Sequence, residues 1–185
     1  MALARVRLWT VDEYHRMLEA GILGERDRVE LLEGQIVEMS PQLPPHASTT
    51  QRTARYFDRL LENRAYVRMQ LPITLRPNSE PEPDVAVVQI DPNEYSDHHP
   101  RPDEILLIIE VADTTLESDR KQKALTYAKA GIADYWVLDV SNRQVYVFRQ
   151  PTPAGYQQET RFNANTTLPL ICIPEIEVLL NQLFP

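Results

Sequence analysis

Residues Pro81 to Gly131, PEPDVAVVQIDPNEYSDHHPRPDEILLIIEVADTTLESDRKQKALTYAKAG, decide how this chain is read. Two apolar runs within the stretch, Pro83 to Ile90 and Glu104 to Val111, have the length and the branched side chains of strands. The second, ILLIIEV, is so continuously apolar that both of its faces must be covered. A helix follows over Asp119 to Ala130, with Ser118 placed to cap it and Gly131 to stop it. Asp84 opens the first run, Glu110 terminates the second, and lysines lie on the helix directly behind. An unpaired carboxylate is costly to bury, so acids at the edges of apolar runs need a cation or hydrogen bonds. If the two strands are neighbours, both acids converge on one divalent ion, for which carboxylate oxygens are suitable hard ligands. The plainer alternatives are a Glu110 that faces solvent at a strand end or pairs with an arginine, and an Asp84 that belongs to an ordinary Pro-Asp turn.

Working outward toward the N-terminus, Tyr66 to Leu75 reads as a strand, with Pro72 suggesting an edge position or a bulge. His46 to Asn63 is an amphipathic helix with Thr53, Tyr56, Phe57, Leu60 and Leu61 on one face. Arg52, Arg55 and Arg59 form a neighbouring stripe, either a nucleic-acid-binding surface or a solvated flank partly neutralised by Asp58 and Glu62. Before it, Val29 to Met39 has the pattern of a hairpin about a Glu33-Gly34 turn, ended by Ser40-Pro41 and by Pro44 and Pro45. Thr10 to Glu13 carries the spacing of a capping box for a first helix that Gly21 stops. Toward the C-terminus, Ala133 to Val140 and Gln144 to Arg149 are two strands about a Ser141-Asn142 turn. A weak strand near Tyr156 to Thr160 extends that meander, and Pro174 to Phe184 reads as a short terminal helix. In the loop after Ile90, His98-His99 has no partner at metal-ligand spacing and reads as exposed. This order of elements predicts an α/β architecture, a mixed sheet with helices on its faces.

The 185 residues fit one domain, 1–185, with 43% hydrophobic and 25% charged residues, the balance of a globular protein rather than a disordered one. One cysteine, Cys172, permits neither an internal disulfide nor a cysteine-rich zinc site, and no secretory or membrane-spanning run is found; the expected location is cytoplasmic, with no membrane partner. The net charge of −8 weighs against a large nonspecific nucleic-acid surface, but a local basic stripe can coexist with metal-binding acids.

The segments VELLEGQIVEMSP, PEPDVAVV, LLIIEV and SDRKQKALTYAKAGIADYWVLD, with the spacing between them, resemble the Uma-two family of restriction-endonuclease-like proteins, bacterial and abundant in cyanobacteria, within the PD-(D/E)xK nuclease superfamily. The likeness covers nearly the whole chain and is most specific from Asp119 through Lys123, Tyr127 and Gly131 to Tyr135-Trp136. It implies a restriction-endonuclease-like fold and a DNA endonuclease that uses Mg²⁺, with Mn²⁺ as substitute. Asp84 and Glu110 become the catalytic, metal-binding acids, and the Val111 carbonyl a further ligand.

The superfamily expects a lysine two positions after the second acid, where this chain has Ala112. The resemblance then implies a lysine from the following helix, Lys123. The residues themselves leave a rival: on a helical wheel with Ala124, Leu125 and Ala128 facing the core, Lys121 falls on the core side, and Lys123 shares the other side with Asp119 and Tyr127, where its plainer role is an i, i+4 salt bridge with Asp119. Glu30 and Gln70 match recurring positions and are supporting candidates; His46 also matches one, but receives no catalytic role. The competing reading is a catalytically inactive nucleic-acid-binding or regulatory module on the same scaffold. A third is an oligomeric protein, such as a homodimer, with Trp136, Tyr146 and Phe148 as apolar surface.

Overall fold

The capping box forms as its spacing predicts. Glu13 N–H donates to Thr10 Oγ1 at 3.2 Å and Thr10 N–H donates to the Glu13 carboxylate at 3.0 Å, opening helix α1, Val11–Glu19. Gly21, at φ 67°, ends it. The computed structural model describes residues 5–24 and 26–185. A hairpin follows, β1 (Val29–Leu32) and β2 (Gln35–Glu38), joined by Glu33 and Gly34 at φ 49° and 79°. Close approach also fixes Gly34, since a Cβ there would lie 2.6 Å from Leu8 Cβ.

Helix α2 spans Pro44–Leu60, starting two residues before the expected His46. The first helical positions have no intrahelical acceptor for their N–H groups, so Pro44 and Pro45 initiate the helix rather than merely closing the hairpin. This places His46 in the first turn. The buried stripe Thr50, Thr53, Phe57 and Leu61 continues its line down the helix.

Six strands, β3 (Tyr66–Met69), β4 (Val85–Val88), β5 (Ile105–Ala112), β6 (Asp134–Asp139), β7 (Gln144–Thr152) and β8 (Gly155–Asn163), form one sheet in chain order. Only β5 and β6 are parallel, and the connection between them is helical, which makes this the expected mixed α/β sheet. β3 stops well short of Leu75 because Gln70 turns to φ 53° and Pro72 has no N–H to give. The weak strand near Tyr156 grows to all of β8, held by its antiparallel partner β7.

The helix behind β5 differs from expectation in its register. It begins earlier, as α3 (Leu116–Ser118), widens into a π-helical turn over Asp119–Lys123, and continues as α4 (Ala124–Lys129). Ser118 lies inside it with helical φ and ψ, so it caps nothing. The expected terminal helix is absent among the described residues. Ile176, Val178 and Leu180 are buried at every second position, a strand period; β10 (Glu177–Leu179) pairs with β9 (Thr167–Pro169), leaving only a 3₁₀ turn at Leu180–Gln182.

Both faces of β5 are covered, as its composition requires. Leu107, Ile109 and Val111 pack with Phe57 of α2, Trp136 and the C-terminal Val178 and Leu183. Ile108 and Ala112 point the other way, toward Ala124 and Tyr127 of α4 and Tyr135 of β6. Trp136, Tyr146 and Phe148 are all buried, so they belong to the sheet core and offer no oligomer surface. A smaller cluster, Val11, Tyr14 and Leu31, ties α1 to the hairpin. Among the described residues, no helix is long and apolar enough to cross a membrane.

Candidate active site

Strand pairing brings the two acids together. β4 and β5 are antiparallel with Val85 opposite Ile109, so Asp84 and Glu110 are the next residues along the facing strands. Asp84 N–H points at Glu110 Oε2 across 3.4 Å, and Val111 N–H donates to Asp84 Oδ2 at 2.8 Å. A strand residue's N–H and C=O face the same neighbour, so the Val111 carbonyl projects toward Asp84 as well. Glu110 does not emerge into solvent at the strand end. It is 3% exposed, on the face of β5 that α4 covers.

Lys123 supplies the missing charge. Its ammonium lies 3.0 Å from Glu110 Oε1 and 3.4 Å from Glu30 Oε1, and Tyr127 Oη donates to the same Glu110 oxygen at 2.7 Å. Lys121 is excluded from the cleft: its side chain is 74% exposed and ion-paired with Glu117. The wheel misjudged the helix because its buried side is Asp119, Ala124, Tyr127 and Ala128, whereas Leu125 is 36% exposed. The wide turn over Asp119–Lys123, closed by a bond from Ala124 N–H to the Asp119 carbonyl, aims Lys123 inward. Lys123 accordingly pairs with acids on two strands rather than with Asp119, whose carboxylate accepts from Thr115 Oγ1.

Ala112 is small for a related reason. Positions 110 and 112 share one face of β5, and Ala124 and Tyr127 fill the space above Ala112. Ala112→Lys is expected to lower stability by about 2–3 kcal/mol in urea unfolding by overpacking this contact and adding a second buried cation.

Gln70 and Glu30 also come to the cleft. Gln70 Nε2 donates to Asp84 Oδ1 at 3.2 Å, and Glu30 Oε2 accepts from Glu82 N–H at 3.0 Å. His46 is the residue that sequence reasoning missed. Its Nε2 lies 3.1 Å from Asp84 Oδ2, in a side chain 15% exposed. Extending the stripe Phe57, Thr53, Thr50 back by one turn reaches His46, so the helical period carried the signal once the prolines are placed inside the helix. Arg52, Arg55 and Arg59 do not line the cleft. They flank α2 beside Gln182 and Pro185, with Arg52 Nε donating to the Gln182 carbonyl at 2.8 Å. His98 pairs with Asp97 and Glu104 and does not line the cleft.

Acids dominate a cleft of about 240 Å³ lined by Glu30, Glu82, Asp84, Glu110 and Asp119 together with Lys123. Burial pushes the Glu110 carboxyl up to about 8 against the pull of Lys123, with the charges of Asp84, Asp119 and Glu30 adding to the rise. Burial acts on Asp84 in the same sense, but the hydrogen bond and charge of His46 and the Val111 N–H outweigh it and hold this carboxyl below the usual range. For Lys123, burial favours the neutral amine, yet Glu110, Glu30 and Asp119 overcome it and the pKa rises. Two neighbouring acids are thus driven apart, a pattern typical of functional sites.

The donor set suits a hard cation. Asp84, Glu110 and the Val111 carbonyl offer oxygen only, and Mg²⁺ characteristically takes one or two carboxylates and keeps water in its other positions. No group of three or more His, Cys, Asp or Glu residues forms a fuller cage among the described residues.

A mixed sheet covered by helices, with paired acids and a lysine at the junction of its central strands, defines a restriction-endonuclease-like fold. The chain belongs to the Uma2 family, described as "Putative restriction endonuclease", whose profile matches residues 11–181. Its fold is similar to the crystal structure of "a putative nuclease belonging to DUF820 from Anabaena variabilis", with a TM-score of 0.73, 19% sequence identity, and 95% of this chain and 97% of that one covered. No curated protein matches the sequence.

Proposed function

We propose that this protein is a divalent-metal-dependent nuclease that hydrolyses phosphodiester bonds in DNA. The observation that carries the reading is the buried ammonium of Lys123 set between Glu110 and Glu30 beside Asp84, in an open cleft lined chiefly by acids. Asp84, Glu110 and the Val111 carbonyl would hold Mg²⁺ or Mn²⁺, which when bound polarises the scissile phosphate and acidifies a water.

The chain's own side chains do the rest. An ammonium has three donors; two of those of Lys123 face Glu110 and Glu30, and the third, without a partner among the described residues, would serve a phosphate oxygen or the attacking water. Tyr127 fixes the Glu110 carboxylate, while Gln70 and His46 fix the two oxygens of Asp84. Arg52, Arg55 and Arg59 would meet the DNA backbone outside the cleft.

The direct test is cleavage of supercoiled and of single-stranded circular DNA in Mg²⁺, in Mn²⁺ and in EDTA. Cleavage only with metal is expected, and its absence in both metals would leave the inactive binding module standing. His46→Ala is expected to weaken metal affinity or cleavage about 10–100-fold, the usual consequence of losing a residue that orients a ligand. Calorimetric metal titration beside a cleavage time course would measure it.

A further inference from the structure

We infer that the cavity adjoining the cleft receives an unpaired nucleobase bearing an exocyclic amine, from the nucleotide next to the scissile phosphate; this rests on the nuclease reading above. The cavity has a volume of about 720 Å³ and lies between α1, the hairpin and the segment that leads to Asp84. Such a volume falls within the roughly 300–1,000 Å³ of small-molecule sites. It opens into the cleft, for Arg28, Met39, Gln42 and Glu82 line both.

One piece of backbone forms the floor of the two spaces. Glu80 and Glu82 each precede a proline, which biases them to extended conformation, so the acids at 80, 82 and 84 succeed one another at about 6–7 Å. Glu80 lines the cavity, Asp84 lines the cleft, and Glu82 stands where they meet. A nucleotide whose phosphate is held at Asp84 can therefore reach Glu82 with its base.

Charge decides what the cavity accepts. Glu19, Glu80 and Glu82 line it against Arg28; Glu80 is engaged with His15 at 2.7 Å, which leaves Glu19 and Glu82, and burial lowers the pKa of His99. A phosphate is repelled there, whereas an uncharged ring is welcome whose exocyclic amine projects two N–H donors from its edge, farther than the single ring N3–H of thymine reaches. Glu82 is half-buried, and its carboxylate has no hydrogen-bond partner among the described residues, while its backbone N–H is already given to Glu30. Leu18 and Met39 offer apolar contact to a ring face. Gln70 couples the two spaces, lining the cavity while its amide donates to Asp84 at 3.2 Å.

Adenine, cytosine and guanine carry an exocyclic amine and thymine does not. In a duplex that amine is paired, so the base must come from a single strand or be turned out of the helix.

The test is fluorescence anisotropy with labelled 12-nucleotide oligo(dA), oligo(dC) and oligo(dT) in EDTA, where no cleavage occurs. Oligo(dA) and oligo(dC) are expected to bind about tenfold tighter than oligo(dT), the worth of one hydrogen bond to a charged group. Glu82→Leu should bring all three to the oligo(dT) level without lowering the melting temperature. Glu82→Gln, which adds a donor that thymine can accept, should narrow the gap. Equal affinities in the wild-type protein, a gap that survives both substitutions, or no binding by any of the three overturns the inference. The nuclease reading fails separately, by a lack of metal-dependent cleavage of any DNA.

Discussion

Lys123→Met is expected to slow cleavage by about two to three orders of magnitude, the loss that follows removal of one donor aimed at developing charge. Lys121→Met is expected to leave the rate unchanged, because its side chain lies 74% exposed on a surface pair with Glu117. The two lysines are two residues apart on one helix, so the contrast tests placement rather than charge. Lys123→Met also leaves Glu110 and Glu30 buried without their cation. Removing one partner of a buried pair costs about 3–5 kcal/mol when the other stays charged. The true loss should be smaller, since Glu110, with its pKa up at about 8, already holds a proton at neutral pH and leaves Glu30 as the acid that loses its cation. Single-turnover cleavage and urea unfolding of both variants separate the chemical effect from the structural one.

Mg²⁺ affinity is expected to rise with pH by up to about tenfold per unit below pH 8 and to level off above it. The cause is Glu110, whose carboxyl burial raises from 4.5 to about 8, so that the metal must displace a proton at neutral pH. The sign for the metal-free fold is opposite. A carboxyl with a raised pKa in the folded state stabilises that state fully below about pH 4.5, and the contribution is lost as pH climbs through 8. Asp84 does not follow this trend, because His46 and the Val111 N–H hold its pKa down. Calorimetry in two buffers of different ionisation enthalpy should register close to one proton released per Mg²⁺ at pH 7. Glu110→Gln should abolish both the binding and the proton release.

The architecture was legible where periodicity and composition agree. ILLIIEV announced a strand covered on both faces, and the acids at the ends of two apolar runs do meet, since β4 and β5 are adjacent. The choice of lysine was not legible from the wheel. A regular 3.6-residue period with Leu125 taken as core placed Lys121 inward, whereas Leu125 is exposed, Tyr127 is buried, and a local widening over Asp119–Lys123 turns Lys123 to the inner side; the motif resemblance pointed to Lys123 without that geometry. His46 was missed because Pro44-Pro45 was read as a boundary rather than as the first turn of a helix, which moved the histidine off its buried stripe. The terminal strand β10 was misread as helix because three apolar residues at alternate positions were taken within too short a window for the period to declare itself.

The claim on which the rest depends is that Asp84 and Glu110 serve one metal and one reaction. Cleavage of circular single-stranded DNA in Mg²⁺ by the wild-type protein and by Asp84→Ala, purified alike, tests it most directly. The account predicts cutting by the wild-type protein that EDTA stops, and a rate at least about a thousandfold lower in the variant, which loses a metal ligand and with it the metal's contribution to charge stabilisation. Equal cleavage by the two proteins would contradict it.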